Sequence, residues 1–117
     1  MVEAKYFDPV IQGMWRVVNE TGGTAGRAKI DGINVCGKTG TVENYKGGVK
    51  QKNHSVFIAF APMEDPKIAI AVFVENAGVG GTWAAPIASL MIEKYLNKTI
   101  SSPKKEKRVL DAKLNKE

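Results

Sequence analysis

Residues 55–75, SVFIAFAPMEDPKIAIAVFVE, decide the fold, because two apolar runs are joined there by a short polar connection. Both runs, 55–61 and 67–75, are rich in β-branched and aromatic residues, which favour strands. The connection, 62–66, contains two prolines and an acidic pair and suits a tight turn between antiparallel neighbours. The sequence therefore predicts a pair of antiparallel strands over this stretch.

A third strand is predicted upstream of this pair. Residues 33–42 alternate loosely and contain several β-branched side chains. Residues 43–53 are polar and include Lys46-Gly47-Gly48, which predicts a mobile loop between the first two strands.

A helix is predicted on each side of the three strands. Asp8 as N-cap and Pro9 at the first helical position predict a helix over 9–19. Apolar residues at helical spacing predict a closing helix over 83–97, with Pro86 tolerated in its first turn. The expected fold class is α+β: an antiparallel sheet covered on one face by the two helices, with strands at 33–42, 55–61 and 67–75.

The strand at 55–61 is apolar on both of its faces. A strand with two apolar faces requires cover on both sides, and two helices of this length can cover only one. The sequence therefore predicts an open apolar sheet face, which should promote self-association between copies of the chain.

Composition excludes several classes of protein. The chain has 117 residues, of which 44% are hydrophobic and 25% charged, which is too apolar for wholesale disorder. No apolar run approaches the roughly 18 residues of a membrane span, and the first residues lack the pattern of a signal peptide. The single cysteine, Cys36, excludes an internal disulfide and a cysteine-based zinc site. We expect no metal and no cofactor.

Most of the net charge of +5 lies at the end of the chain. Residues 98–117 contain seven basic and three acidic side chains, which give +4, and few large apolar ones. We therefore expect one domain over 1–97 and a basic, disordered tail over 98–117. The nearly neutral domain argues against nucleic acid as a partner, but a basic-tail interaction module stays open as an alternative function.

Two interpretations compete for the motif at Lys38. Residues Gly32–Thr39 match the phosphate-binding loop pattern G-x-x-x-x-G-K-[ST], which suggests a nucleotide-binding module. However, the residues before it are largely polar, residues 33–36 favour an extended chain, and Gly40 follows where a helix should begin. The other interpretation is a Lys-Thr-Gly motif on a strand, as in the serine enzymes that penicillin acylates.

Four further stretches make the second interpretation specific. They are CGKTGTVE (36–43), HSVFIAFAP (54–62), VENAG (74–78) and AAPIA (84–88), preceded by Gly-Thr-Ala at 23–25. Together they resemble the class B penicillin-binding proteins in unbroken order over about residues 6–97, most closely the elongation-type branch, penicillin-binding protein 2. The resemblance implies a peptidoglycan D,D-transpeptidase with the penicillin-binding/serine β-lactamase-like fold.

The resemblance also implies a role for each residue of the motif. Lys38 would supply a positive charge beside the nucleophile, and the Thr39 hydroxyl would bind the terminal carboxylate of the substrate, which β-lactams mimic. Gly40 would let the substrate lie along the strand edge, and the Thr41 backbone N–H would complete the oxyanion hole. The partners implied are peptidoglycan stem peptides, β-lactams and the cell-wall elongation machinery.

The sequence departs from the family pattern at the nucleophile. A Ser-x-x-Lys and a Ser-x-Asn motif should precede Lys38, but the 37 residues before it contain no serine. Downstream matches, at 101–105 and Tyr95-Leu96-Asn97, fall in the polar tail and in the last predicted helix. We therefore expect a C-terminal fragment of a transpeptidase domain that is inactive alone. The parent protein would be anchored in the cytoplasmic membrane, with this domain outside it.

Four residues near the motif are weighed separately. For His54 a structural or solvent-facing role is favoured over a catalytic one, and Cys36 is expected to pack within its strand. Glu43 and Asn44 are candidates for the border of the cleft.

Overall fold

The computed structural model describes residues 1–113. Three strands form one antiparallel sheet, as predicted, and within it they lie side by side in their order along the chain. The elements are helix α1 (Phe7–Asn19), strands β1 (Cys36–Lys46), β2 (Val49–Ala61) and β3 (Ile68–Val74), and helices α2 (Ala84–Asn97) and α3 (Pro103–Leu110), with short 3₁₀ helices at Ala4–Tyr6 and Gly26–Ala28.

The mobile loop predicted over 43–53 is wrong, because β1 and β2 continue through it as a hairpin. The strands pair out to Lys46 and Val49 and turn at Gly47 and Gly48, whose φ angles of +56° and +80° suit a two-residue hairpin turn. Polar side chains are tolerated there because this end of the ribbon is exposed. The register shifts once, between Val42 and Asn44.

The other strand limits move by smaller amounts. β1 begins at Cys36 rather than at residue 33, because Ile33 forms an isolated bridge with Ile30 around the turn at Gly32. The connection at 62–66 is tight as predicted, and the Lys67 amide closes it by donating to the Ala61 carbonyl at 2.9 Å.

The first helix starts earlier than predicted. It begins at Phe7 with Tyr6 at the N-cap, because the preceding 3₁₀ turn delivers Tyr6 in a helical conformation, with φ −83° and ψ −14°. Asp8 is therefore in the first turn and is not the cap. Its negative charge still suits the positive end of the helix dipole.

The core lies between one sheet face and the helices. α2 packs on β2 and β3, and α1 packs on β1. Phe57 is fully buried at the centre, and the alanines of α2 lie against the sheet because their small side chains allow a close approach.

The opposite sheet face is open, as predicted from the two-sided apolar strand. Ile58 of β2 is 48% exposed and Phe73 of β3 is 55% exposed. Ile58 lies beside Ala71, and Phe73 lies beside Val56, so these side chains form one continuous apolar surface. We call this surface the open face.

The disorder expected for the tail is wrong over Pro103–Leu110, which forms α3 against α2. Pro103 begins this helix instead of preventing one, because a proline at the first helical position loses no hydrogen bond. The Ser102 hydroxyl caps it by accepting from the Lys105 amide at 3.3 Å. Residues 114–117 of the predicted tail lie outside the described residues. No helix within residues 1–113 is both long and apolar enough to cross a membrane.

Candidate active site

Strand β1 presents the Lys-Thr-Gly motif at an edge of the sheet. Within residues 1–113 β1 pairs only with β2, so its other side offers backbone groups to a ligand. Lys38 and Gly40 share the open face, whereas Thr39 and Thr41 point to the face covered by the helices. The motif therefore presents groups from both faces along one edge.

The Lys38 ammonium is an exposed charge at this edge. Its Nζ donates to the Thr39 carbonyl at 2.9 Å, which folds the side chain back along the strand. None of the ion pairs formed among residues 1–113 includes Lys38. The charge can therefore attract an anion without first breaking a salt bridge.

The Thr39 hydroxyl has a defined neighbour. Its Oγ1 lies 3.0 Å from Oγ1 of Thr24, and either hydroxyl can donate. Thr24 precedes the 3₁₀ helix Gly26–Ala28, and the adjacent Ala25 amide donates to the Val17 carbonyl in α1 at 3.0 Å. The connection after α1 thus orients the hydroxyl of the motif.

A glycine-rich loop, residues 76–83, packs directly behind the motif. A β-carbon on Gly80 would overlap the carbonyl oxygens of Val56 and Gly40, and one on Gly81 would overlap the Thr24 carbonyl oxygen. The backbone of this loop, which we call the backing loop, therefore touches the motif strand and the Thr24 segment. Only glycine permits that approach.

Ser55 fastens the backing loop to the sheet. Its hydroxyl is fully buried, donates to the Val79 carbonyl at 2.9 Å and accepts from the Ala84 amide at 3.1 Å. Because one side chain of β2 bonds to both the Val79 carbonyl and the Ala84 amide, strand β2 holds the backing loop and the start of α2 together.

The neighbours of the motif have structural partners. Asn44 donates to the Asn76 side chain at 2.7 Å, and the Asn76 amide donates to Nδ1 of His54 at 3.0 Å. Glu43 pairs with Lys50 across the hairpin at 3.5 Å. Nδ1 of His54 is thus occupied by a backbone amide, and Glu43 and Asn44 bind within the hairpin and the backing loop, while the role of His54 stays a prediction.

The Cys36 thiol is buried, and its raised pKa keeps it protonated at neutral pH. Burial, and secondarily the negative charge of Glu64, raise the pKa of its thiol to about 11. Because the thiolate is the reactive form, this residue packs within β1 and is not a candidate nucleophile.

The four serines of the chain do not reach the motif as free nucleophiles. Ser55 is occupied as described, and Ser101 and Ser102 lie at the start of α3. Ser89 is buried in α2 and receives a hydrogen bond of 2.8 Å from Lys105 Nζ. A serine beside a lysine resembles a nucleophile and its base, but full burial keeps substrate away from Ser89.

The nucleotide-binding alternative is wrong. In a phosphate-binding loop the Lys-Thr pair opens a helix, whereas Lys38 and Thr39 lie inside β1. Among residues 1–113, no three His, Cys, Asp or Glu side chains are close enough together to hold a metal ion.

The family match decides the assignment of the fold. Residues 1–93 match the family described as the penicillin binding protein transpeptidase domain. The chain belongs to this family. Its relative in Haemophilus influenzae, the peptidoglycan D,D-transpeptidase MrdA, is 39% identical over 106 residues, which are 80% of this chain and 16% of MrdA. The chain thus spans about a sixth of that relative's length.

Solved structures of penicillin-binding proteins superpose on the chain. Penicillin-binding protein 2 of Pseudomonas aeruginosa, in complex with WCK 5153, is 31% identical with a TM-score of 0.67, over 82% of this chain and 20% of that one. The ceftriaxone acyl-enzyme of penicillin-binding protein A from Mycobacterium tuberculosis is 40% identical with a TM-score of 0.56, over 60% of this chain and 17% of that one. The predicted resemblance and the penicillin-binding fold are therefore confirmed.

Sequence reasoning identified the motif strand of this transpeptidase segment but missed what surrounds it. Thr24 entered only through the resemblance, although a hydroxyl partner for Thr39 can be sought among nearby threonines. No role is predicted from the sequence for the Gly80-Gly81 pair, although adjacent glycines can indicate close backbone contact. The roles of Lys38, Thr39, Gly40 and Thr41 stay predictions.

Proposed function

We propose that this chain forms the Lys-Thr-Gly wall of the active site of a peptidoglycan D,D-transpeptidase, which cross-links stem peptides and binds β-lactams. The observation that carries the proposal is the placement of Lys38-Thr39-Gly40 on an edge strand, in a chain that matches the transpeptidase family over residues 1–93. The name of MrdA and the ceftriaxone acyl-enzyme of the mycobacterial relative support this substrate class.

Lys38 and Thr39 would bind the negative end of the substrate. The stem peptide ends in a carboxylate, and a β-lactam carries one in an equivalent place. The Lys38 ammonium, which forms no ion pair among residues 1–113, provides attraction, and the Thr39 hydroxyl, oriented by Thr24, provides a directional hydrogen bond.

Gly40 and Thr41 would act through the backbone. A peptide can add to the free edge of β1 as a further strand, and Gly40 leaves room for it. The Thr41 N–H would then stabilise the negative charge that develops on the attacked carbonyl oxygen. The sheet behind β1 keeps these groups rigid, so little reorganisation is needed during reaction.

The nucleophile would come from another part of the transpeptidase. A serine Oγ attacks the carbonyl carbon between the two terminal D-alanines, its proton passes to a neighbouring base, and the bond to the last D-alanine breaks. An amine of a second stem peptide then attacks the ester and releases the serine. Since the serines of this chain are buried and hydrogen-bonded or lie at the start of α3, we expect no acylation of the isolated chain.

A chimera tests this proposal directly. This chain replaces the matching segment of Haemophilus influenzae MrdA, and covalent labelling by a fluorescent penicillin is measured on gels. We expect labelling of the chimera, a loss of at least about tenfold in the labelling rate for Lys38→Ala, and wild-type rates for Lys46→Ala, an exposed lysine at the hairpin end. A folded chimera without labelling, or equal rates in the two variants, would contradict the proposal.

We further infer that the protein carrying this segment is anchored in the cytoplasmic membrane and works with the cell-wall elongation machinery. The similarity to MrdA and penicillin-binding protein 2 supports this inference. Protease digestion of spheroplasts tests the orientation: the segment should be cleaved in intact spheroplasts while a cytoplasmic marker survives. Survival of both would contradict it.

A further inference from the structure

Helix α3 lies beyond the residues that match the transpeptidase family, and yet its basic side chains bind to other parts of the chain. The family match ends at residue 93, and α3 spans Pro103–Leu110. A solvated basic tail would leave its charges in water. Here Lys105 and Arg108 donate hydrogen bonds to groups outside α3.

Arg108 holds the end of the backing loop in two ways. Its Nη1 donates to the Thr82 carbonyl at 3.1 Å, and its guanidinium carbon lies 4.2 Å from the centre of the Trp83 ring. Stacking on an indole and donation to a carbonyl together fix the plane of the guanidinium. One side chain therefore fixes two consecutive residues of the loop.

Lys105 fixes the other side of the helix. Its Nζ donates to Ser89 of α2 at 2.8 Å and to the Lys29 carbonyl at 3.0 Å, after the 3₁₀ helix Gly26–Ala28. The turn before α3 is also held, because the Ser101 amide donates to the buried Glu93 carboxylate at 2.8 Å. α3 is thus joined to α2 and to the connection that follows α1.

The residues that Arg108 contacts lead directly to the motif. Thr82 follows Gly81, which touches Thr24, and Gly80 touches Gly40. The Ala85 amide donates to the Gly80 carbonyl at 3.0 Å, so the start of α2 and the backing loop move together. The loop leaves no room for a methyl group at either glycine, so a displacement at Thr82 transmits to β1.

We propose that α3 is a clasp that positions the Lys-Thr-Gly strand, with Arg108 as its positioning residue. The proposal rests on the proposed function, since the strand it positions is the substrate-binding wall. The clasp acts through Thr82 and Trp83 on the backing loop, and through the backing loop on Gly40 and Thr39. Arg108 does not touch the substrate.

Amide exchange measured by NMR on the full 117-residue chain tests the clasp. In Arg108→Ala we expect exchange of the Thr82, Ala84 and Ala85 amides to accelerate about tenfold, with shifted resonances for Thr39 and Gly40. The Met63 amide, which bonds to the Asn34 carbonyl away from the loop, should stay within about twofold of wild type.

Two variants separate positioning from general stability. Arg108→Lys keeps a donor for Thr82 but stacks less well on Trp83, so it should recover part of the protection. Lys107→Ala removes a neighbouring cation of α3 that pairs with Asp111, and should leave the loop amides unchanged. Equal exchange in Arg108→Ala and wild type, or the same acceleration at Met63 as at Ala84, would overturn the proposal.

The MrdA chimera connects the clasp with acylation. Arg108→Ala should slow labelling by the fluorescent penicillin about fivefold, but the final fraction of labelled protein should equal that of the unmutated chimera. The reason is that the Lys-Thr-Gly strand would be shifted from its best position without being lost. An unchanged rate would overturn the positioning role. If the unmutated chimera is not labelled, the proposed function fails, and the exchange data on the isolated chain still decide the inference.

Discussion

The hydroxyl oxygens of Thr24 and Thr39 lie 3.0 Å apart, although one belongs to an irregular connection and the other to β1. The connection is held to α1 by the bond from the Ala25 amide to the Val17 carbonyl. The orientation of the Thr39 hydroxyl therefore depends on the connection that follows the C-terminal end of α1.

Replacing Thr24 tests this dependence. Thr24→Val removes the hydroxyl with little change of shape, and we expect a loss of about 1 kcal/mol or less in the free energy of unfolding, because the pair is exposed. In the MrdA chimera the same change should slow penicillin labelling several-fold, since the Thr39 hydroxyl loses its partner. Thr24→Ser keeps the hydroxyl and is the control; equal labelling rates in both variants would contradict the role.

Two glycines of β1 should respond differently to alanine. A β-carbon on Gly37 would lie 2.7 Å from a ring carbon of Phe57 and 2.9 Å from the Ile58 carbonyl oxygen, inside the core. We expect Gly37→Ala to lower the free energy of unfolding by about 1–3 kcal/mol. A β-carbon on Gly40 would meet Val56 at an ordinary 3.5 Å, so Gly40→Ala should preserve stability and impair only labelling of the chimera. Urea denaturation separates the two, and equal losses of stability would refute the assignment.

Ser55 should contribute to stability through its two hydrogen bonds. Ser55→Ala leaves the Val79 carbonyl and the Ala84 amide without this partner in a buried place, and we expect a cost of about 1–3 kcal/mol in urea denaturation. Ser101→Ala is the matched control, because only the backbone amide of Ser101 is bonded to Glu93. A loss below about 0.5 kcal/mol for Ser55→Ala would show that the bonds contribute little.

The sequence could predict the sheet because its signals are local. The apolar runs at 55–61 and 67–75 and the turn between them specify strands and connection within 21 residues, and the structure confirms them. The hairpin over 43–53 could not be predicted from polarity, since a ribbon exposed on both faces carries the same side chains as a loop. Only the glycine pair at 47–48 indicated the turn.

The Lys-Thr-Gly motif was also a local signal, whereas the residues that hold it in place are distant in sequence. Lys38, Thr39 and Gly40 are adjacent in sequence, but Thr24 contacts Thr39 from a distant part of the chain, and Arg108 contacts the backing loop behind the motif. The predicted tail shows why such contacts escape prediction. Its composition predicts disorder, but α3 is stabilised by hydrogen bonds from Lys105 and Arg108 to acceptors elsewhere in the chain. Helix propensity and composition contain no information on such tertiary partners.

The pKa of Cys36 predicts a loss of stability at alkaline pH. The folded-state pKa of about 11 exceeds the ordinary value of 9.0, so between these pH values the folded chain retains a proton that the unfolded chain has lost. The free energy of unfolding contributed by this group is fully present below pH 9 and decreases as pH rises toward 11, by about 3 kcal/mol in total. Urea denaturation between pH 8 and 10.5 should show a steeper decline for wild type than for Cys36→Ala; parallel slopes would contradict the raised pKa.

The open face should drive self-association of the isolated chain. Phe73 is 55% exposed and lies beside Val56 in a continuous apolar surface on a segment that spans 16% of the length of MrdA. Light scattering should show a mass that increases with concentration, and Phe73→Lys should reduce it, because burying a charge in such a contact is costly. Met91→Lys is the matched control, because Met91 is also 55% exposed but lies on α2. A monomer at all concentrations, or equal effects of the two substitutions, would show that the open face is not the contact.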